Sequence, residues 1–242
     1  MTNAHELPNV LLVHGAWADG SSWRKVIEIL QADGFGNVVA SQLALRSFAD
    51  DVATVVRDLR LLDGPTILVG HSYGGAVISQ AASGQAQAAG LVYVAAYAPK
   101  AGQSAFQINQ EFGVELPSGA DLINIGAAET PDFVVNRSRF HQDFCADLTA
   151  AEGAVLAAVQ KPTSVLALAG SGDQVPAWEQ LRANTWYQVS SNDAMIHPDL
   201  ERQMAGQITD DERIITLPAG HASMVSKPGE IADLIEKAAR NR

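Results

Sequence analysis

The chain reads as an α/β protein built on a mostly parallel sheet of about six strands flanked by helices, and three observations carry that expectation. Short apolar runs alternate with helical stretches along most of the 242 residues. The runs are continuously apolar rather than alternating, the pattern of strands buried on both faces. One of them, Thr66-Ile-Leu-Val-Gly, runs straight into Gly-x-Ser-x-Gly at Gly70, Ser72 and Gly74, ahead of the small-residue stretch that begins at Gly75. In such sheets ligands bind beyond the carboxyl ends of the strands.

The elements follow in order. Strands are expected at 9–13, 37–40, 66–70, 91–96, 185–190 and 213–217, separated by helices near 22–32 and 48–62, after Ser72, and at 198–207 and 228–239. From about 102 to 183 the alternation breaks, and the aromatic residues Phe106, Phe112, Phe133, Phe140, Phe144 and Trp178 are scattered through mixed text. Residues 148–160 read as a helix, and the Gly/Pro/Asp-rich 170–176 as a turn. The expectation is one domain, 1–242, with a helical cap at roughly 102–183 inserted before the last two strands and shaping the substrate pocket.

Composition narrows the function classes. A formal net charge of −11, with no basic cluster, repels phosphate backbones and anionic lipid, so neither nucleic acid nor membrane is an expected partner. No apolar run approaches the roughly 18 residues of a membrane span. The first residues lack the basic-then-apolar order of a secretory signal, which makes the cytoplasm the expected location. The single cysteine, Cys145, permits no internal disulfide and reads as a small buried apolar residue. A homodimer is compatible with this composition.

The Gly-x-Ser-x-Gly stretch is read as a nucleophile elbow, a sharp strand-to-helix turn that projects a serine oxygen from the sheet edge. Glycine at 70 and 74 removes side chains that would obstruct it. A serine hydroxyl is a weak nucleophile, so it needs a base and a third group to orient that base. His221 follows the last strand and a Pro/Gly loop, and is the expected base. His14 and His71 are expected to be structural, and His5, His141 and His197 lack such a context. For the acid, Asp173 and Asp193 look alike locally. Only Asp193 leaves a complete strand and stands one β-α-β unit before His221, so it is preferred. The oxyanion donors are expected to be the backbone N–H groups of Tyr73, at a helix N-terminus, and of Ala16, in the loop after the first strand where Gly15 permits close approach. Trp17, Tyr97 and Trp178 are candidate substrate contacts.

These residues carry a resemblance. Leu-Val-His-Gly-Ala-Trp at 12–17, Val-Gly-His-Ser-Tyr-Gly-Gly at 69–75, Leu-Val-Tyr-Val-Ala-Ala-Tyr-Ala-Pro at 91–99, Asn-Asp-Ala-Met-Ile-His-Pro at 192–198 and Ala-Gly-His at 219–221 resemble the α/β-hydrolase fold. Specifically, they are similar to the small group of plant methylesterases, hydroxynitrile lyases and bacterial esterase-like proteins. The resemblance implies Ser72 as nucleophile, Asp193 as acid, His221 as base and Ala16 and Tyr73 as oxyanion donors, with no metal or organic cofactor. The lyase branch has a hydroxyl residue in the oxyanion loop and a lysine directly after the histidine. Here those positions hold Gly15 and Ala222, so hydrolysis of small to medium apolar esters through an acyl-enzyme is the expected reaction. Dehalogenases of this fold need a carboxylate where Ser72 stands. Lactonase, perhydrolase and ligand-receptor activities are the alternatives the same scaffold supports.

Overall fold

The computed structural model describes residues 7–114, 121–127, 129 and 131–241; His5 lies outside them. Six parallel strands form the central sheet: β1 (Asn9–Val13), β2 (Val38–Ser41), β3 (Thr66–His71), β4 (Ala88–Val94), β8 (Thr185–Ser190) and β9 (Ile214–Leu217). Their spatial order is β2-β1-β3-β4-β8-β9, so every pairing in the sheet is parallel. Every residue of β1 and β3 is buried, whereas β2 and β9 at the edges are mostly half-buried. That gradient explains why the central strands are the most apolar runs in the sequence.

Helices α1 (Arg24–Ala32), α2 (Phe48–Arg60), α3 (Tyr73–Ala81), α9 (Pro198–Ile208) and α11 (Pro228–Arg240) connect and cover the sheet. Their starts are chemically marked. The Ser47 side chain accepts the Asp50 amide at the head of α2, and α9 and α11 both open on proline, which has no amide to leave unpaired. Helix α3 differs from the amphipathic α1, α2 and α11, because nearly all of it is buried.

The segment between β4 and β8 departs from the helical expectation. It contains helices α4 (Ala105–Phe112), α5 (Arg137–Phe144), α6 (Ala150–Val159), α7 (Val165–Leu168) and α8 (Ala177–Gln180). Helix α6 matches the predicted helix and is fixed by a Thr149–Glu152 capping box. The segment also holds a second sheet of three antiparallel strands, β5 (Leu122–Asn124), β6 (Asp132–Val135) and β7 (Thr163–Ser164). Strands of two to four residues are too short to show a period, and β7 pairs across the whole of α5 and α6, so no local pattern announces them.

The turn from β3 into α3 is packed directly against backbone. A Cβ on Gly70 would stand 2.6 Å from the Gly74 carbonyl oxygen, and one on Gly74 would stand 2.5 Å from that of Val13 and 2.7 Å from that of His14. These are backbone atoms of β1 and its loop and cannot swing aside. Gly74→Ala is therefore expected to lower unfolding free energy by about 2 kcal/mol or more, while Gly36→Ala, whose Cβ would meet nothing within 4 Å, stays within about 0.5 kcal/mol. Urea denaturation of the two variants checks this.

Candidate active site

Ser72 stands between β3 and α3 with φ 54° and ψ −125°. For a residue with a Cβ this backbone costs about 1–3 kcal/mol and persists only where surrounding contacts impose it. Here the Ser72 amide donates to the Val94 carbonyl at 3.2 Å, and the Ser72 carbonyl accepts from the amides of Gly75 at 3.0 Å and Tyr97 at 3.1 Å. The ends of β4 and α3 thus clamp the turn from both sides.

His221 follows β9, and its Nδ1 donates to Asp193 Oδ2 at 2.6 Å. The other carboxylate oxygen of Asp193 accepts the amides of Met195 at 2.6 Å and Ile196 at 2.9 Å. The acid is thereby fixed by its own loop, and both side chains are buried. With Nδ1 protonated toward Asp193, Nε2 is left as the basic nitrogen. Ser72 and His221 line one narrow cavity, together with Ala16, Trp17, Tyr73, Tyr97, Leu168, Met195 and Ile196. Among the described residues no direct Ser72–His221 hydrogen bond is formed; such contacts tighten when substrate is bound. Asp173 lies exposed on the loop before α8, apart from this arrangement.

Two expected oxyanion donors border the same cavity. The amides of Ala16 and Tyr73 have no acceptor among the described residues, although both residues are buried. The next residue, Trp17, has φ 55°, its amide donates to Thr163 Oγ1 at 3.0 Å, and its indole donates to the Phe133 carbonyl at 3.0 Å. Strands β6 and β7 therefore hold the loop after β1 from outside. A Cβ on Gly15 would lie 2.6 Å from Ser72 Cβ, so the close approach of the loop after β1 to the elbow requires glycine there.

Tyr73 contributes only its backbone to the mouth of the site. Its hydroxyl donates to the buried Asp51 at 2.9 Å, and Asp51 also accepts the Leu45 amide at 3.0 Å. Burial holds the Asp51 carboxyl above its usual range. Of the candidate substrate contacts, Trp17 and Tyr97 line the cavity. Trp178 does not: its indole donates to the Pro99 carbonyl at 3.0 Å and is buried in the core.

The two other histidines near the elbow are structural, as expected. The His14 ring donates to the Gly15 carbonyl at 2.9 Å and accepts the Leu43 amide at 3.0 Å. Burial drops its pKa from 6.5 to about 4. His71 donates to the His221 carbonyl at 2.9 Å, and burial, then the neighbouring His221, holds it well below the usual value. This tether on His221 joins positions too far apart in the chain for a local pattern to announce it. Cys145 is buried and its thiol is pushed up to about 12, chiefly by burial.

A second narrow cavity shares Trp17 with the first and is lined by Phe140, Phe144, Leu156, Val159, Ala222 and Met224, among others. Phe144 stands edge-on to the His221 ring, 5.0 Å between centroids. Among the described residues no group of acidic, cysteine and histidine side chains is arranged to hold a metal ion, and no helix is long and apolar enough to cross a membrane.

A serine at a strained elbow, a histidine bonded to a buried aspartate and two amides without acceptors among the described residues are gathered beyond the carboxyl ends of the parallel strands. The model of the alpha/beta hydrolase family matches residues 10–234, and the chain belongs to that family. It is 28% identical over 244 residues to a pyrethroid hydrolase of Sphingobium wenxiniae, covering 94% of this chain and 86% of the relative. It is 27% identical over 266 residues to a carbendazim hydrolyzing esterase of Nocardioides sp., covering 94% and 98%. Its fold is similar to the crystal structure of a methylesterase from Arabidopsis, with a TM-score of 0.78, 16% identity and coverage of 97% and 99%.

Acid sensitivity follows from His14. A folded-state pKa below the unfolded one gives stability that is complete above pH 6.5 and is lost as pH falls toward 4, in total about 3 kcal/mol. In urea melts at pH 7, 5.5 and 4, His14→Gln is expected to lose less stability across that window than the parent; equal losses would exclude His14 as the source.

Proposed function

We propose that the protein is a serine carboxylic ester hydrolase in which Ser72, His221 and Asp193 form the catalytic triad. Ser72 Oγ attacks the ester carbonyl while His221 Nε2 takes its proton and passes it to the leaving alcohol. Asp193 holds the imidazole in the required tautomer and stabilises its charged form. The amides of Ala16 and Tyr73 receive the negative oxygen of the tetrahedral intermediate. Water, activated by the same imidazole, then frees the acyl group from Ser72. The observation that carries the reading is the His221–Asp193 pair beside a serine held at positive φ in one cavity. The names of the two curated relatives agree with ester hydrolysis.

The substrate is a small-molecule ester with an apolar group on each side of the carbonyl. Support comes from the two mostly apolar cavities that meet at Trp17, one holding Ser72 and the other walled by Phe140, Phe144 and Leu156. Residues 102–183 act as the cap of a single domain, because they supply the aromatic wall of the second cavity and the tethers of Trp17. The buried, protonated thiol of Cys145 fits a reducing compartment, and the proposed location is the cytoplasm.

Ser72→Ala should reduce hydrolysis of p-nitrophenyl acetate and butyrate to near background, and Asp193→Asn should lower kcat on the order of 10⁴-fold by fixing the wrong imidazole tautomer. Parent protein with no turnover on these or bulkier apolar esters would contradict the proposal. Leu156→Trp, which fills the second cavity, should raise KM for a bulky aryl ester about tenfold and leave methyl-ester hydrolysis within about twofold, as initial-rate kinetics on the two substrates will show.

A further inference from the structure

Behind the proposed acid lies a second carboxyl group that the mechanism above does not use. Glu201, in α9, is fully buried. Its Oε2 accepts the amide of Ser190 at 2.9 Å, and the Ser190 carbonyl accepts the amide of Asp193 at 3.3 Å. One side chain thus fastens the end of β8 and the turn that launches Asp193. Its Oε1 is buried with no donor directed at it from the described residues, and the buried carboxyl of Asp193 is its charged neighbour.

Neighbouring buried carboxyls disfavour a second negative charge, and a buried carboxyl oxygen without a donor is the expected position of a proton. None of the described side chains around the pair donates to Glu201 Oε1. Asp193 comes from the loop after β8 and is bonded to His221. The Tyr187 hydroxyl, from β8, donates to the Ala96 carbonyl at 2.5 Å and accepts the Ala96 amide at 3.1 Å. The Tyr97 hydroxyl, after β4, accepts from Asn109 Nδ2 at 2.8 Å. Arg202, on α9 itself, is half-exposed and bonded to Asp199 at 2.6 Å. No cation is buried against Glu201 among the described residues. Burial first, then the negative charge of Asp193, holds its carboxyl well above the usual range.

Resting on the triad assignment, we propose that Glu201 is a positioning residue: a neutral carboxylic acid that donates a hydrogen bond from Oε1 to the Asp193 carboxylate while Oε2 holds the Ser190 amide. Asp193 then keeps a single negative charge in a fixed orientation toward His221. Ionisation of Glu201 at alkaline pH places a second negative charge behind Asp193, breaks the hydrogen bond and disorders the acid, so activity falls on the alkaline side.

The test compares the parent, Glu201→Gln and Glu201→Leu. A glutamine amide can donate to Asp193 and accept from Ser190 but cannot ionise; leucine does neither. With p-nitrophenyl acetate from pH 6 to 9.5, Glu201→Gln should keep kcat within about threefold of the parent at pH 7 and lack its alkaline decline. Glu201→Leu should lose at least tenfold in kcat with KM within twofold. The infrared spectrum at pH 8 should contain a protonated-carboxyl carbonyl band that Glu201→Gln removes. Identical alkaline profiles in the parent and Glu201→Gln, the absence of that band, or a folded Glu201→Leu with parental kcat would each overturn the inference. Should Glu201→Leu fail to fold, the glutamine profile and the infrared band still decide. Failure of the triad assignment would look different: the parent would not turn over the ester and a fluorophosphonate would not label Ser72, whatever stands at 201.

Discussion

The positive φ of Ser72 is the constraint on which the rest of the structure depends. A serine in that conformation is held at a strand end only because β1, β4 and α3 crowd together around it. The crowding requires glycine at 70 and 74, where a Cβ would strike backbone. The same compression brings the loop after β1 against the elbow, so that Gly15 must also lack a side chain and the Ala16 amide is left facing the cavity. Strain at one residue is thereby offset by the burial of the whole central sheet, where Val10, Leu11, Leu12, Ile67, Leu68 and Val69 are inaccessible to water.

Much of this was legible in the sequence, because the signals are local. The buried central strands appear as unbroken apolar runs, and the elbow, the Asp193 loop and the His221 loop each sit just after one of them. The choice of Asp193 over Asp173 rested on strand order, and β8 does pair with β9 in parallel, with Asp193 bonded to His221 and Asp173 exposed. What was not legible depends on distant parts of the chain. The β5-β6-β7 sheet joins short segments across two helices. Trp178 looks like other aromatic residues of its segment until its indole is seen on Pro99. The tether from His71 to the His221 carbonyl spans 150 positions.

The second sheet changes the meaning of the inserted segment. A purely helical cap could move as a unit over the site, whereas β6 and β7 are hydrogen-bonded to Trp17 beside the oxyanion donors. In the proposed mechanism the shape of the pocket and the placement of the Ala16 and Tyr73 amides are linked through one residue: the tryptophan shared by the two cavities is also the one whose backbone amide is pinned from outside. The histidines follow a related logic. His14 and His71 are kept neutral by burial and serve as hydrogen-bonding struts, which leaves His221 as the imidazole at the cavity wall, with its Nδ1 fixed by a carboxylate.

The central claim is that Ser72 forms a covalent acyl intermediate. The most direct measurement is rapid acid quenching during turnover of a slowly deacylating p-nitrophenyl ester, followed by intact-mass and peptide-mapping analysis. The account predicts one acyl group per chain, on the peptide containing Ser72. Turnover without an adduct, or an adduct carried by a different residue, would contradict it.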